Sequence, residues 1–458
     1  MKKYLLILCL AVSQFAAAQP YEPRWESVDS RPVPAWFAEA RFGIFIHWGL
    51  YSVPAWATVD KAIATHPVYS EWYWWQKNTD TSRVGDATRA YHKATYGDDF
   101  KYPDFVRDFK AERFDPAAWA DLFAASGAKY VVLTSKHHEG FALWPSAEAW
   151  NWNSVDVGPH RDLAGELSEA VREKGLRMGF YYSLYEWYNP IYLNDVDRYV
   201  EQHMLPQMKD LVCRYSPDIL WTDGEWEHPS STWRSEEFLA WLYNESPVRE
   251  TVVVNDRWGK ETRGRHGGFY TTEYDLDSSH AANMSVAAHP WEECRGIGNS
   301  FGYNRAETLE HYSSTQQLIV TLIERVARGG NLLLDVGPKA DGTIPLVMQE
   351  RLLGIGAWMG VNGEAIYGTE PWDKAAQNKA DGVFFTTKGD DLYVLYTKPQ
   401  AVLTLKGVAT PRRADILGAE ARVRCAASKG GVRLTLPAEV LRDAQERPQV
   451  VRLAGALR

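Results

Sequence analysis

Ile219-Leu220-Trp221-Thr222-Asp223-Gly224 is the stretch on which the fold turns. Two apolar residues open a short β-type run, an acid closes it and a glycine breaks it. Residues two apart on a strand share a face, which sets Trp221 beside Asp223. An Asp before a Gly also suits a turn or a helix cap, so the position gains weight only if other runs end the same way. They do. Seven more runs read as strands: Phe42–His47, Tyr130–Lys136, Arg177–Tyr182, Val252–Arg257, Phe269–Glu273, Trp291–Ile297 and Asn331–Val336. Polar side chains fall at or just past their C-terminal ends, as His47, His137, His138, Tyr181, Arg257 and Glu273. Amphipathic stretches at helical spacing lie between them, among them Asp115–Ser126, Leu163–Lys174 and Val196–Tyr215. Asp115-Pro116 reads as a helix start and Gly175 as a helix end. Strands alternating with helices predict an α/β fold with a parallel sheet. Polar residues gathered at one end of eight strands predict a (β/α)₈ barrel with its chemistry at that mouth.

Beyond Gly368 the texture changes. Val383–Thr387, Asp391–Thr397, Val402–Leu405 and Val432–Leu436 alternate apolar and polar residues, with turns at Lys388-Gly389-Asp390 and Lys429-Gly430-Gly431. Helical patterns disappear. The expected organisation is a barrel over 19–368 followed by a small antiparallel β-sandwich over 369–458. Val53–Phe105 reads as a long loop insertion after the first strand, and it carries Glu71 and Trp72. Gly329-Gly330 lacks the spacing and the trailing Lys of a phosphate loop; the pair is expected to end a helix and lead into the eighth strand.

Charge and composition exclude some classes. With 50 Lys and Arg against 59 Asp and Glu, the 458-residue chain carries a net charge of -9 and offers no basic face for nucleic acid. Twenty Trp and 24 Tyr exceed what a core needs, and flat rings with polar edges suit sugars. Lys2 and Lys3, the apolar run Tyr4–Val12 and the small residues Ala16, Ala17 and Ala18 read as an export signal over 1–18, with a periplasmic or secreted destination. That run is too short to span a bilayer, and no later one reaches about 18 apolar residues. Leu8 before Cys9 argues against a lipid anchor. Cys213, Cys294 and Cys425 remain after the signal, an odd number without CxxC spacing, so a disulfide framework is not expected.

Retaining cleavage of a glycosidic bond needs two carboxyls roughly 5–5.5 Å apart, one a nucleophile and one an acid and then a base. The nucleophile must stay ionised beside cations such as Arg257, and the acid must hold its proton near neutral pH. Asp223 and Glu273 can meet these demands from different strand ends. A metal is not expected. His137 and His138 are adjacent and should face opposite sides of a strand, and neither HxH nor HExxH spacing accompanies His47 or the pair. Hydrogen bonding to sugar hydroxyls fits neutral imidazoles better.

Phe42-Gly43-Ile44-Phe45-Ile46-His47-Trp48-Gly49, Lys136-His137-His138-Glu139-Gly140-Phe141, Asn255-Asp256-Arg257-Trp258-Gly259 and Gly329-Gly330-Asn331-Leu332-Leu333-Leu334 resemble the α-L-fucosidases of glycoside hydrolase family 29. The resemblance spans nearly the whole chain after the signal. It implies a retaining exo-hydrolase of terminal α-L-fucose, acting on a fucosylated oligosaccharide or glycoconjugate without a cofactor. By motif, Asp223 is similar to the family's nucleophile, and His47, Glu71, Trp72, His137, His138, Tyr181, Trp221 and Arg257 to its fucose pocket. For the acid/base, Glu273 in Tyr270-Thr271-Thr272-Glu273-Tyr274 resembles the position used by some members and ends a strand. Its competitor is Glu292, which opens the next strand beside Trp291; Glu293 should point away. Two rival readings are a fucose-binding protein on an inactive hydrolase scaffold and a hydrolase of a related sugar such as an α-L-galactoside. The sequence leaves room for a homo-oligomer.

Overall fold

Eight parallel strands make one sheet: β1 (Phe42–Ile46), β2 (Tyr130–Lys136), β3 (Arg177–Ser183), β4 (Ile219–Asp223), β5 (Val253–Val254), β6 (Tyr270–Glu273), β7 (Trp291–Gly296) and β8 (Asn331–Val336). The computed structural model of the chain describes residues 20–187, 189–274, 289–398, 400–443 and 447–457; the expected export signal lies outside them. The strand order is β5-β4-β3-β2-β1-β8-β7-β6. Its two ends meet where Phe269 N–H donates to the Val254 carbonyl at 2.9 Å and Gly268 N–H to that of Asn255 at 3.1 Å. The sheet therefore closes on itself as a (β/α)₈ barrel.

Apart from β6, which is half-buried, the strands are buried on both faces, as a helix-covered parallel sheet requires. Alternate residues separate into two shells. Phe45, Val132, Tyr181, Trp221 and Leu333 pack inside the barrel. Ile44, Ile46, Leu133, Tyr182, Leu220 and Leu334 pack outward in the main core. The helices start as their sequences demand. Asp115 accepts from Ala118 N–H at 3.0 Å ahead of Pro116–Ala125, and Ser314 forms a capping box with Gln317 ahead of Thr315–Ala327. That helix ends at Arg328, and Gly329 with φ near 89° turns the chain into β8.

Two expectations are revised and a third is refined. The strand expected over Val252–Arg257 shrinks to two residues, because side chains take over the ladder. Asn255 bonds Thr222 N–H and its carbonyl, and Asp256 accepts from Thr271 N–H. The insertion over Val53–Phe105 is largely helical, through Tyr73–Asn78, Arg83–Tyr96 and a 3₁₀ stretch over Tyr102–Arg107. Val196–Tyr215 is helical throughout, as expected, but not regularly so. A π-type stretch, Val200–Met204, precedes Leu205–Tyr215, where Pro206 offers no N–H to a regular turn.

Two antiparallel sheets follow the barrel, ordered β13-β16-β11-β10-β9 and β12-β15-β14. Their strands are β9 (Glu370–Pro371), β10 (Val383–Lys388), β11 (Asp391–Tyr396), β12 (Val402–Lys406), β13 (Arg413–Ile416), β14 (Arg424–Ser428), β15 (Gly431–Thr435) and β16 (Gln449–Ala454). Phe385, Val394, Leu405, Leu434 and Val451 share the core between them. Helical structure does not vanish here, since Ala438–Asp443 forms a short helix. Among the described residues no helix is long and apolar enough to cross a membrane, and Cys213, Cys294 and Cys425 are unpaired.

Candidate active site

Trp221 and Asp223 both face into the barrel from β4. The Trp221 ring stacks on Tyr181 at 5.8 Å, as the pairing of these two residues across β3 and β4 dictates. The Arg257 guanidinium lies 4.4 Å from the centre of the same indole. Asp223 sits one pleat nearer the mouth. Its Oδ1 accepts from Arg257 Nη1 at 2.7 Å and its Oδ2 from the Tyr181 hydroxyl at 3.0 Å. Arg263 approaches Oδ1 to 3.6 Å. Burial pushes the carboxyl up, but the charges of Arg257 and Arg263 outweigh it and hold Asp223 well below the usual carboxylate range. The next residue has to be glycine. Gly224 has φ near 74°, and a Cβ there would come within 2.8 Å of Tyr185 Cβ.

Glu273 ends β6. Its Oε2 lies 3.3 Å from Arg257 Nη2, and its side chain is 31% exposed. One guanidinium therefore touches both strand-end acids, while Thr271 Oγ1 holds its Nε at 3.0 Å. Glu292 lies elsewhere. It opens β7, is 1% exposed, and accepts from the Trp221 indole N–H at 3.1 Å and from the Tyr130 hydroxyl. Burial, partly offset by Tyr130, Trp221 and Arg257, pushes its carboxyl up to about 7. Glu293 faces outward to a paired bond with Arg325, both distances 3.0 Å.

His137 and His138 do not diverge as two strand residues would. β2 ends at Lys136, and the two rings lie 4.1 Å apart, both at the mouth. Ser183 donates its hydroxyl to the Tyr185 carbonyl at 2.6 Å, so it accepts from His138 Nδ1 at 2.7 Å. That leaves His138 Nε2 as an acceptor, 3.8 Å from Asp223. Burial first, then His137, pushes His138 well below its ordinary value, so the ring is neutral. His137 stacks on Tyr181 at 5.7 Å, and its Nδ1 has no hydrogen-bond partner among the described residues. The bend that presents both rings is held from behind. Glu186 accepts from Lys136 Nζ and from Asn189, each at 2.7 Å, and lies 3.0 Å from His203 Nε2.

His47 extends β1 to the mouth, with Nδ1 2.6 Å from Asp335 Oδ1 on β8. Burial pushes Asp335 up and His47 down, so the pair is neutral and shares one proton. Glu71 reaches in from the helical insertion, 1% exposed, accepting from Gly302 N–H at 2.9 Å and Ser300 Oγ at 3.3 Å. Trp72 packs its ring at 5.3 Å from His138. The structure thus gathers His47, Glu71, Trp72, His137, His138, Tyr181, Trp221, Asp223, Arg257 and Glu273 around one opening, with Glu292 below them. Sequence reading missed Asp335, Glu225, Arg263 and Phe301. Asp335, the one acid in an apolar strand, was legible. Arg263, which bonds Glu225 at 2.5 Å, and Phe301, 4.9 Å from His47, sit in loops without periodicity. No group of three or more His, Cys, Asp or Glu among the described residues is arranged to hold a metal ion.

Carboxylates and neutral imidazoles set around the C-terminal mouth of such a barrel define a glycoside hydrolase. Comparison with known proteins narrows the class. The α-L-fucosidase family model matches residues 8–364. Tissue α-L-fucosidase of Rattus norvegicus is 45% identical over 94% of this chain and 92% of its own length. α-L-Fucosidase of Dictyostelium discoideum is 46% identical over 84% and 82%. The crystal structure of Thermotoga maritima α-fucosidase in complex with a mechanism-based inhibitor superposes with a TM-score of 0.79 at 38% identity, covering 96% of this chain and all of the other. The chain belongs to the α-L-fucosidase family.

Proposed function

We propose that the chain is a retaining exo-α-L-fucosidase that removes terminal α-L-fucose from glycans. Asp223 attacks the anomeric carbon and Glu273 protonates the leaving oxygen, then activates water to hydrolyse the Asp223 ester. The observation that carries this reading is the Arg257 bridge from Asp223 to Glu273. Arg257 and the Tyr181 hydroxyl keep Asp223 ionised and aimed. Once Asp223 becomes an uncharged ester, Arg257 keeps its contact with Glu273, which acts as the base of the second step. His47, His137, His138, Glu71 and Trp72 supply donors and acceptors for sugar hydroxyls, and Trp221 is the floor.

The choice between Glu273 and Glu292 sets acidity against position. A carboxyl near 7 is what a general acid needs, yet Glu292 is enclosed beneath Trp221 with its oxygens already engaged. Reach comes before acidity, and Glu273 has it. Within the same proposal, 1–18 is an export signal, supported by Lys2-Lys3 and the apolar run that follows, so the enzyme is periplasmic or secreted. The catalytic barrel occupies 19–368 and the sandwich 369–458. The test is incubation with an aryl α-L-fucoside, following the released sugar by proton NMR. α-Fucose as the first-formed anomer supports the reading; β-fucose first, or binding without release, overturns it.

A further inference from the structure

One indole at the mouth neither holds Asp223 nor belongs to the core. Trp226 follows Asp223 by three residues and is 37% exposed. The residues on either side of it are tied to the body of the protein. Glu225 bonds Arg263 at 2.5 Å, and its carbonyl accepts from the Trp233 indole at 3.1 Å. Glu227 accepts from the Tyr192 hydroxyl at 2.5 Å. Trp226 is thus presented on a short segment fixed at both ends. Its ring is flanked by His138 at 5.3 Å, Trp72 at 5.8 Å and Tyr185 at 6.2 Å. No protein acceptor takes its indole N–H among the described residues.

A single part-exposed ring needs no cover of its own; what marks Trp226 is its place, against His138 and Trp72 beside a polar pocket. An indole has an apolar face and one donor on its edge, which match the C–H face and a hydroxyl of a pyranose. His138 touches both this ring, at 5.3 Å, and the Asp223 carboxylate, at 3.8 Å, so whatever covers Trp226 adjoins the terminal sugar.

We propose that Trp226, backed by Trp72, forms a second sugar-binding position that takes the pyranose to which the terminal fucose is attached. This rests on the fucosidase reading and adds to it a preference for glycosidic over minimal leaving groups. The test compares α-L-fucosyl fluoride, which has no second ring, with the fucosyl disaccharide that the wild type cleaves fastest. Trp226→Ala should lower kcat/KM on the disaccharide roughly tenfold, mainly through KM, while turnover of the fluoride stays within about twofold and serves as the control for folding. Trp226→Phe should recover most of the loss. An equal loss on both substrates, or no loss on either, overturns the second position. A wild-type chain that hydrolyses neither substrate overturns the fucosidase reading and this position with it.

Discussion

Arg257 Nη1 lies 2.7 Å from Asp223 Oδ1, on a guanidinium that is only 2% exposed by side chain. Losing this buried cation would leave Asp223 only the Tyr181 hydroxyl and Arg263 at 3.6 Å, at a cost of up to about 3–5 kcal/mol. The second terminal nitrogen of the same group reaches Glu273 at 3.3 Å. One buried guanidinium therefore joins the two acids.

Asp223→Gly should lower turnover of an aryl fucoside by at least about a thousandfold. Azide or formate should restore part of it by entering the space of the missing carboxylate. A steady-state assay with and without the anion reads both effects. Activity near wild type would remove Asp223 from the reaction.

Glu273→Ala should spare activated aryl fucosides and cost poor leaving groups about a hundredfold or more, because only the latter need a proton. Glu292→Ala should lower both classes alike by releasing Trp221. Rates across a series of phenols of rising pKa separate the two patterns. The reverse result would move the proton donor to Glu292.

Glu292 also links folding to pH. Burial holds its carboxyl at about 7, above the roughly 4.3 of an unfolded glutamate. The folded chain keeps a proton that the unfolded chain gives up, so stability falls as pH rises from about 4.3 to about 7. Glu292→Gln removes that loss, on the order of 2–4 kcal/mol across the window. Melting temperatures of both proteins between these limits should converge at low pH, or cross there, with the variant gaining on the wild type as pH rises.

Asp335→Asn should weaken sugar binding without preventing folding. The amide keeps the shape but not the shared proton that fixes the His47 ring. A neutral hydrogen bond of about 0.5–1.5 kcal/mol corresponds to a rise of roughly 2- to 13-fold in KM or in the inhibition constant of fucose. An unchanged inhibition constant would make Asp335 a packing residue only.

Legibility followed burial. Tyr130–Lys136, Ile219–Asp223 and Asn331–Val336 agree with the observed strands to the residue, because each is buried along its whole length and bounded by a turn or a bend. The helix Arg83–Tyr96 was hidden because it buries only Gly85, Thr88 and His92 and so has no apolar stripe. β14 was hidden because its residues are largely exposed. The site divides in the same way. His47, Asp223 and Glu273 lie on or next to strand ends, where position predicts role. Arg263 and Trp226 come from loops whose paths are fixed by distant partners, Glu225 and Tyr192, that nothing local announces.

The most direct measurement is the mass of the protein after brief exposure to 2-deoxy-2-fluoro-α-L-fucosyl fluoride, whose second fluorine slows release of the glycosyl ester. One deoxyfluorofucosyl group per chain, located by peptide fragmentation on Asp223, is the expected result. A label on any other residue, or an unlabelled chain that nevertheless turns over fucosides, would contradict the account.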